Sequence, residues 1–247
     1  MYQSHPYITT PPDDTTIWHY MPWWKFERLV GSARLFFARL DRYLPEDPNE
    51  AAVPEPVKER IAGVLKHLPG SEVITREVID VVERQIQRWL RESTYASCWS
   101  DDTHESVKMW RKFGRGPESV ALQSTIGRLK HSLRHEKPGV YIGRPEYLDL
   151  SEGSGEFFAL LQFAFRKDLA CSPEKEVRAA IVLTPPKAAE AGACREGYSA
   201  TVDLNCLFEH IYVHPRAHAK FQTRVDSHML GHGLHLRSNR SALESTF

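Results

Sequence analysis

The sequence lacks an excess of charge of either sign, because 32 lysine and arginine residues balance 32 aspartate and glutamate residues over 247 positions. The whole chain therefore has no field that would draw it to nucleic acid or to an anionic membrane, although a local basic groove is still compatible with this balance. Apolar runs of the roughly 20 residues that span a bilayer are also missing. This absence predicts a soluble protein without a membrane partner.

Cysteine is scarce, and its spacing is uninformative. The four cysteines, Cys98, Cys171, Cys194 and Cys206, form no C-x-x-C pair and follow no secretory signal. They predict free thiols and a cytoplasmic location. The chain has no G-x-G-x-x-G or P-loop pattern either, so neither a Rossmann nor a Walker nucleotide site is predicted.

Strand and helix signals interleave along the chain without repeats or low-complexity tracts. This order favours an α+β fold, a single mixed domain whose largely antiparallel β core is flanked by helices, over a βαβ barrel. Residues 1–15 are rich in proline and poor in apolar side chains, which predicts a loose N-terminal arm. Residues 16–247 are expected to form the domain.

The stretch from Tyr95 to Thr125 organises this prediction. Its aromatic and small residues Tyr95–Ser100 indicate a buried strand, and Asp101 and Asp102 are suited to cap the helix that follows. A second strand is predicted at Ser119–Gln123. The stretch gathers serines, Cys98, His104 and Glu105 where the strand meets the helix, which is typical of a site, although Cys98 and the tryptophans are equally compatible with a plain core.

Other predicted elements bear on the site. They are the strands Thr16–Tyr20 and Arg34–Arg39, a helix at Trp23–Val30, a buried helix at Gly155–Lys167, a strand at Glu174–Leu183, a surface loop after it, and a closing strand at Leu234–Arg237. On the predicted strand Glu174–Leu183, alternation places Glu174, Glu176 and Arg178 on one face. Two neighbouring carboxylates can raise a pKa or stabilise a developing positive charge, but an ordinary surface ladder of glutamate and arginine fits equally.

The histidines do not predict a metal site. His131/His135, His214/His218 and His228/His232 are spaced i, i+4, but none of the pairs has the glutamate of H-E-x-x-H. Cys98 with His19 or His104 as a base would be a conceivable nucleophile, but no local signature supports it. No metal is expected.

Several motifs together resemble the bacterial and phage family DUF2971, a domain of unknown function. They are W-H-Y near the start, L-F-F-A-R-L-D-R-Y, S-C-W-S with E-S-V-K-M-W, V-A-L-Q-S-T, E-K-E-V-R, H-I-Y-V-H-P and R-S-N-R-S-A-L. The resemblance extends from Ile17 to Leu243. After Tyr43 the chain departs from it, because Leu44–Glu50 replaces the Asp-Pro-Phe-Glu-like step of many members.

The opening I-W-H-Y-M is also similar to the first strand of ADP-ribosyltransferases, which reads Y-H-x-T; Met21 stands where the threonine would be. This more distant resemblance implies NAD as a substrate and a role for each of several residues. It implies His19 as a ligand of the ribose and Glu176 as the catalytic carboxylate, with Glu174 orienting the acceptor. The nicotinamide would be flanked by Ser97 and Ser100 together with Trp99 or Trp110. Arg178 and Glu105 are candidates for further contacts with the substrate.

Three functions therefore compete. The first is an NAD-dependent ADP-ribosyltransferase of a defence or toxin type, which would modify a nucleic acid or a protein. The second is a non-enzymatic sensing or interaction module with an aromatic cleft. The third is a metal-dependent nuclease or hydrolase that uses Glu174, Glu176 and an acid such as Asp203.

Overall fold

A computed structural model of the chain describes residues 1–45, 47, 49–53, 55–67, 75–149, 160–194 and 196–243. Its strands are β1 (Thr16–Pro22), β2 (Arg34–Arg39), β3 (Thr94–Ser100), β4 (Ser119–Thr125), β5 (Tyr141–Gly143), β6 (Glu146–Leu148), β7 (Arg166–Asp168), β8 (Glu176–Val182), β9 (Gly197–Thr201), β10 (His210–Val213) and β11 (Ser238–Arg240). Its α-helices are α1 (Trp23–Ser32), α2 (Glu55–Lys66), α3 (Arg76–Ser93), α4 (Val107–Met109), α5 (Ile126–Ser132), α6 (Pro185–Glu190), α7 (Leu204–Leu207) and α8 (Ala219–Gly231).

Nine of these strands form one sheet. Strands β11, β10, β4, β1, β3, β2 and β9 follow one another, while β8 pairs with β3 and β5 pairs with β8. Every pairing in this sheet is antiparallel except that of β10 with β11. The predicted fold class, a mixed α+β domain with a largely antiparallel core and flanking helices, is confirmed.

Strand β3 is the point at which the sheet splits. One edge of β3 pairs with β8 along its whole length, from Thr94 to Ser100. On the other edge β1 pairs only at Ser100 and β2 only at Tyr95 and Ala96. The described strand pairings therefore leave a gap along this edge at residues 97–99, between the diverging strands β1 and β2.

Helix α1 connects the two diverging strands. Four of its apolar side chains recur at helical spacing and are buried, and Trp23 packs edge-on against Phe221 of α8 at 5.6 Å between ring centroids. The helix ends at Ala33, which adopts the left-handed conformation with φ 50°. The buried apolar face of α1 consists of Trp23, Phe26, Leu29 and Val30.

The strand predicted from Glu174 begins two residues later than expected. Leu169–Glu174 is a 3-10 helix, and Lys175 has the left-handed backbone angles φ 44° and ψ 51°. Strand alternation therefore does not place Glu174 beside Glu176, because the turn at Lys175 interrupts it. The predicted face is correct only for Glu176 and Arg178.

The central helix also starts later than predicted. Ser106, not Asp101 or Asp102, caps α4, because its hydroxyl accepts a hydrogen bond from the Met109 amide at 3.4 Å. Asp101 instead pairs with Arg144 at 2.5 Å and Asp102 with Lys175 at 2.8 Å. After α4 the chain continues as a π-helix, Trp110–Gly114.

Three further segments differ from the predictions. The expected loop after β8 contains α6, which begins with two prolines at positions that need no intrahelical N–H partner. Of the predicted helix at 155–167, residues 155–159 lie outside the described part, Leu160–Phe165 is a 3-10 helix and the rest enters β7. The predicted closing strand lies slightly later, as β11.

Residues of the predicted loose arm contact the domain. The Gln3 amide donates to the Val140 carbonyl at 2.8 Å, and Ile8 is buried. The Asp13 carboxylate pairs with Lys130 of α5 at 2.6 Å. The first segment of the chain thus lies against β5 and α5. Among the described helices, none has the length and apolar character to cross a membrane.

The close approach of β9 to β2 depends on Gly197. A Cβ atom at this position would lie 2.2 Å from the Phe37 carbonyl oxygen and 2.6 Å from the Phe36 ring. We expect Gly197→Ala to lower the free energy of unfolding by about 1–3 kcal/mol, because a strand would have to move. The measurement is denaturant unfolding.

Gly63→Ala is the matched control for this substitution. Gly63 lies on α2 and has no atom within 4 Å of an added Cβ. Its replacement should raise the free energy of unfolding by about 0.5–1 kcal/mol, because alanine favours the helix. Equal stability of Gly197→Ala and the wild type would contradict the role given to Gly197.

Candidate active site

The gap in the sheet opens into a cleft of about 480 Å³. Its walls are formed by β1, α1, β2 and the unpaired stretch of β3, and its floor includes side chains from the start of β8. Of the predicted site residues, the cleft brings together His19, Ser97, Trp99, Ser100, Glu174 and Glu176. His19 and Glu176 thus share one cleft.

His19 fills the gap left between β1 and β2. Its Nδ1 atom lies 2.8 Å from the Cys98 carbonyl oxygen, and its ring packs on Trp99 at 4.8 Å between centroids. Because a carbonyl only accepts, Nδ1 carries the proton, and Nε2 of the neutral ring is left as an acceptor. Burial lowers the pKa of His19 from 6.5 to about 4, so the ring is neutral at pH 7.

Glu176 is anchored by two cations. Its carboxylate accepts from Arg178 Nε at 2.6 Å and from Lys167 Nζ at 2.9 Å. Burial alone would raise its pKa, but Arg178 and Lys167 outweigh burial and lower the pKa of Glu176 to about 2. Glu176 is therefore an ionised carboxylate at neutral pH, although its side chain is only 4% exposed.

Arg178 connects this carboxylate to a second one. The guanidinium is fully buried and also binds Glu50 with both terminal nitrogens, at 2.6 and 3.1 Å. The pKa of Glu50 is raised, because its burial outweighs the attraction of a guanidinium that is already shared with Glu176. Arg178 thus holds Glu176 from behind and does not line the cleft, although it was predicted to contact the substrate.

Glu174 reaches the same cluster by a different route. Its carboxylate accepts from Lys112 at 2.5 Å and from Lys167 at 3.2 Å. The two carboxylates meet because of the left-handed turn at Lys175 and because both bind the Lys167 ammonium. Strand alternation, from which their proximity was predicted, does not bring them together.

The two predicted serines take part in local hydrogen bonds at the cleft. Ser97 Oγ accepts from Trp99 Nε1 at 3.2 Å, and Ser100 Oγ donates to Asp102 at 3.2 Å. Their side chains and the Trp99 ring are buried in the wall of the cleft. Ser97 thus holds the Trp99 ring, and Ser100 holds the Asp102 carboxylate, where β3 forms the wall of the cleft.

Trp110 and Glu105 lie outside the cleft lining. Trp110 is fully buried beside Trp18, Tyr20 and Met109, and its Nε1 donates to Glu105 at 3.1 Å. Glu105 also accepts from the Ala242 amide at 3.2 Å. Glu105 thus connects Trp110 of the π-helix to the Ala242 backbone, behind the wall formed by β1.

Sequence reasoning missed Lys167, Glu50 and Tyr43. Lys167 was placed in an apolar helix, and Glu50 in a loop without a function. Tyr43 donates to the Ala96 carbonyl at 3.1 Å and lies 3.5 Å from the Cys98 sulfur. Burial raises the pKa of Cys98 well above its ordinary value, which does not favour a nucleophilic role for this thiol. No local pattern marks these residues, because the partners of Glu50 and Tyr43 are distant in sequence and those of Lys167 lie across a turn.

Basic residues surround the entrance to the cleft, although the chain as a whole is neutral. Among the residues that the structure describes, Glu196 is the one acidic residue besides Glu174 and Glu176 that lines it. Trp24 of α1 is 58% exposed and lies beside Lys25, whose ammonium is 5.4 Å from the ring centroid. The basic lining residues are Lys25, Arg28, Arg34, Arg42 and Arg115.

The third predicted acid does not join the carboxylates. Asp203 caps α7 and pairs with Arg134 at 3.0 Å, and it does not line the cleft. Within the described ranges, no group of three or more His, Cys, Asp or Glu side chains is placed to hold a metal ion.

Comparison with known proteins gives no relative by sequence: no family model matches the chain, and no curated protein matches it. Two solved structures of DarT from Thermus sp. 2.9 are similar in structure. One, in complex with ADP-ribosylated ssDNA, has 13% identity and a TM-score of 0.41 and covers 97% of this chain and 99% of that chain. The other, in complex with NAD+, has 11% identity and a TM-score of 0.39 and covers 94% and 96%.

At these values the likeness concerns the course of the chain and says nothing about individual site residues. The distant similarity to ADP-ribosyltransferases therefore stays a prediction. Membership of the DUF2971 family is not supported by a family match and stays a prediction.

The state of His19 makes stability depend on pH. The unfolded chain binds a proton on this ring below pH 6.5, whereas the folded chain does so only near pH 4, so stability is lost as the pH falls between these values. We expect His19→Gln, whose amide can still donate to Cys98, to lose about 1–2 kcal/mol less than the wild type between pH 7 and pH 4.

Denaturant unfolding of both proteins across this pH range is the measurement. The magnitude is less than the full pKa difference would give, because the ring is only half-buried and water screens part of the cost. Parallel pH dependence of the two proteins would contradict the neutral, buried state of His19.

Proposed function

We propose that this protein is an NAD-dependent ADP-ribosyltransferase whose active site is the cleft between β1 and β2. The observation that carries the proposal is the pairing, in one cleft, of a neutral histidine acceptor with an ionised, fixed carboxylate. His19 supplies the acceptor and Glu176 the carboxylate. Both residues were expected from the more distant resemblance to that enzyme class, which the opening I-W-H-Y-M carries.

The chemistry fits these groups. When the bond between the ribose C1′ and the nicotinamide nitrogen breaks, its electrons stay on nitrogen and the pyridinium leaves as neutral nicotinamide. The ribose becomes oxocarbenium-like, and a carboxylate already ionised and oriented stabilises that charge without reorganising. The acceptor then bonds to C1′ through a lone pair and releases its proton. Glu176 is held in that ionised state by Arg178 and Lys167.

The remaining lining suits a dinucleotide. The volume of about 480 Å³ lies within the range of about 300–1,000 Å³ that is usual for small-molecule sites. The Nε2 atom of His19 is an acceptor for a ribose hydroxyl, and the buried Trp99 ring packs against His19 and holds it in the wall of the cleft. The arginines at the entrance provide charge for the pyrophosphate.

The entrance also favours a nucleic acid as the acceptor. Exposed aromatic rings beside cations bind single strands, since bases stack on the rings while the cations neutralise phosphates. Trp24 beside Lys25 and Phe36 beside Arg28 form two such pairs. We propose a single-stranded nucleic acid as the acceptor.

One observation favours the second candidate, a binding module without catalysis. Glu176 is almost completely buried and pairs with both Lys167 and Arg178, as in a structural ion-pair network. In that case NAD or a nucleotide would bind without being cleaved. For the nuclease hypothesis, the position of Asp203 beside Arg134 gives no support.

Glu176→Gln tests the proposal, with Glu50→Gln as the matched control. Both residues bind Arg178 in the buried cluster, but only Glu176 lines the cleft. We expect Glu176→Gln to release nicotinamide from NAD about 100- to 1,000-fold more slowly than the wild type, because the charge opposite the oxocarbenium centre is lost. Glu50→Gln should retain most of the activity.

The measurement uses labelled NAD with purified protein and a mixed lysate, and it scores free nicotinamide and label on protein and nucleic acid. Thermal unfolding with and without NAD is measured in parallel, because ligand binding raises the melting temperature. NAD-dependent stabilisation without product in the wild type would favour the binding module. Equal loss of activity in both variants would mean that the cluster acts only through stability.

Trp24→Ala tests the acceptor. Loss of one stacking ring is worth about 1–3 kcal/mol per base, so we expect affinity for a single-stranded oligonucleotide to fall about 5-fold or more. Trp89→Ala removes a partly exposed tryptophan from α3 and should leave the affinity unchanged. Fluorescence anisotropy at fixed salt is the measurement, and equal affinities for all three proteins would rule out this face.

A further inference from the structure

Lys167 is an almost fully buried lysine that lies directly behind the cleft without lining it. Its side chain is 7% exposed, and its ammonium contacts Glu176 at 2.9 Å and Glu174 at 3.2 Å. No other described cation contacts both carboxylates: Lys112 binds only Glu174, and Arg178 binds only Glu176 of this pair. Lys167 is therefore the group that joins the two.

A small two-stranded sheet carries this lysine. Strand β7 pairs in parallel with β6, apart from the main sheet. On β6, the Tyr147 hydroxyl accepts from the Glu176 amide at 2.8 Å, and next to β7 the Ala164 carbonyl accepts from Arg178 at 2.7 Å. The segment that precedes β8 thus holds Glu176 through its backbone, its carboxylate and its arginine partner.

Charge balance shows what Lys167 does. The cluster consists of three carboxylates and three cations: Glu50, Glu174, Glu176, Lys112, Lys167 and Arg178. All of them are buried except Lys112, whose side chain is 35% exposed. Without Lys167, Glu174 and Glu176 would lose the cation that they share, and the cluster would have three carboxylates for two cations. Two carboxylates at one site raise a pKa, because they resist ionising together.

We propose that Lys167 is a positioning residue that holds the Glu174 and Glu176 carboxylates side by side at the wall of the cleft. The assignment rests on the proposed function, since it explains how a buried glutamate keeps the charge that bond cleavage needs. Burial opposes the charge of Lys167 itself, but Glu176 raises its pKa above the usual value.

Replacing Lys167 leaves the other titratable and charged groups around Glu176 unchanged in sequence. The titratable and charged side chains that face it are Arg178 on β8, Lys167 on β7, Glu174 at the end of its 3-10 helix, Lys112 in the π-helix, Tyr147 on β6, Cys98 on β3, His19 on β1, and Tyr43 and Glu50 before α2. A change in the titration of Glu176 on replacing Lys167 is therefore due to the lost ammonium.

The experiment follows the carboxyl carbons of Glu174 and Glu176 by NMR during a pH titration, with assignments from the two glutamine variants. In Lys167→Met, the midpoint of Glu176 should rise by about one pH unit or more, because a cation in contact is lost. Lys167→Arg should restore the wild-type midpoint. Lys175→Met is the matched control, since Lys175 lies between the two glutamates but pairs with Asp102 at 2.8 Å.

The acid limb of nicotinamide release should move to higher pH with the same midpoint. If Lys167→Met does not fold, Lys167→Gln, which keeps a polar end without charge, carries the same expectation. Unchanged Glu176 midpoints in the folded neutral variant would overturn the assignment. A shifted midpoint together with an inactive wild type would support it and reject the proposed function, so the two failures are distinguishable.

Discussion

The cleft exists because two strands, β1 and β2, pair with different parts of one edge of β3. Backbone groups of alternate residues face the same edge of a strand, and on this edge Ala96 meets β2, Ser100 meets β1, and Cys98 lies in the gap. A polar backbone group inside a protein needs a partner. The His19 ring supplies that partner for the Cys98 carbonyl. The divergence of β1 and β2, which opens the cleft, therefore also fixes the His19 ring inside it.

The charge cluster behind the cleft follows from the same architecture. Burying ions is costly, and pairs of this kind often contribute little to stability unless every partner is satisfied. Here Arg178 binds two carboxylates and a carbonyl, and Lys167 binds two carboxylates. The cluster therefore sets the charge at the cleft, and its ion pairs are weak evidence for a gain in the free energy of folding.

Prediction from sequence succeeded where the signal was local. The limits of β2 were predicted as observed, and β3 and α1 within a few residues, because strand and helix periodicities are carried by neighbouring side chains. It failed at Glu174, where a left-handed lysine ends a 3-10 helix, and at Lys167, whose ionic partners come from the two neighbouring elements. Trp110 and Glu105 belong to the right stretch but face away from the cleft.

The sequence by itself determined the fold class, the order of most elements, and two side chains, His19 and Glu176, that lie in the same cleft. The fold class and the order of elements depend on periodicity and residue type, which can be read along a chain, whereas His19 and Glu176 were chosen as a pair because of the resemblance to ADP-ribosyltransferases. Only the tertiary structure decided the split of β1 from β2, the sharing of Arg178 between Glu50 and Glu176, and the bridge made by Lys167. Each depends on the burial and approach of groups that are far apart in sequence or lie across a turn, and desolvation, which sets their charge, exists only once the chain has folded.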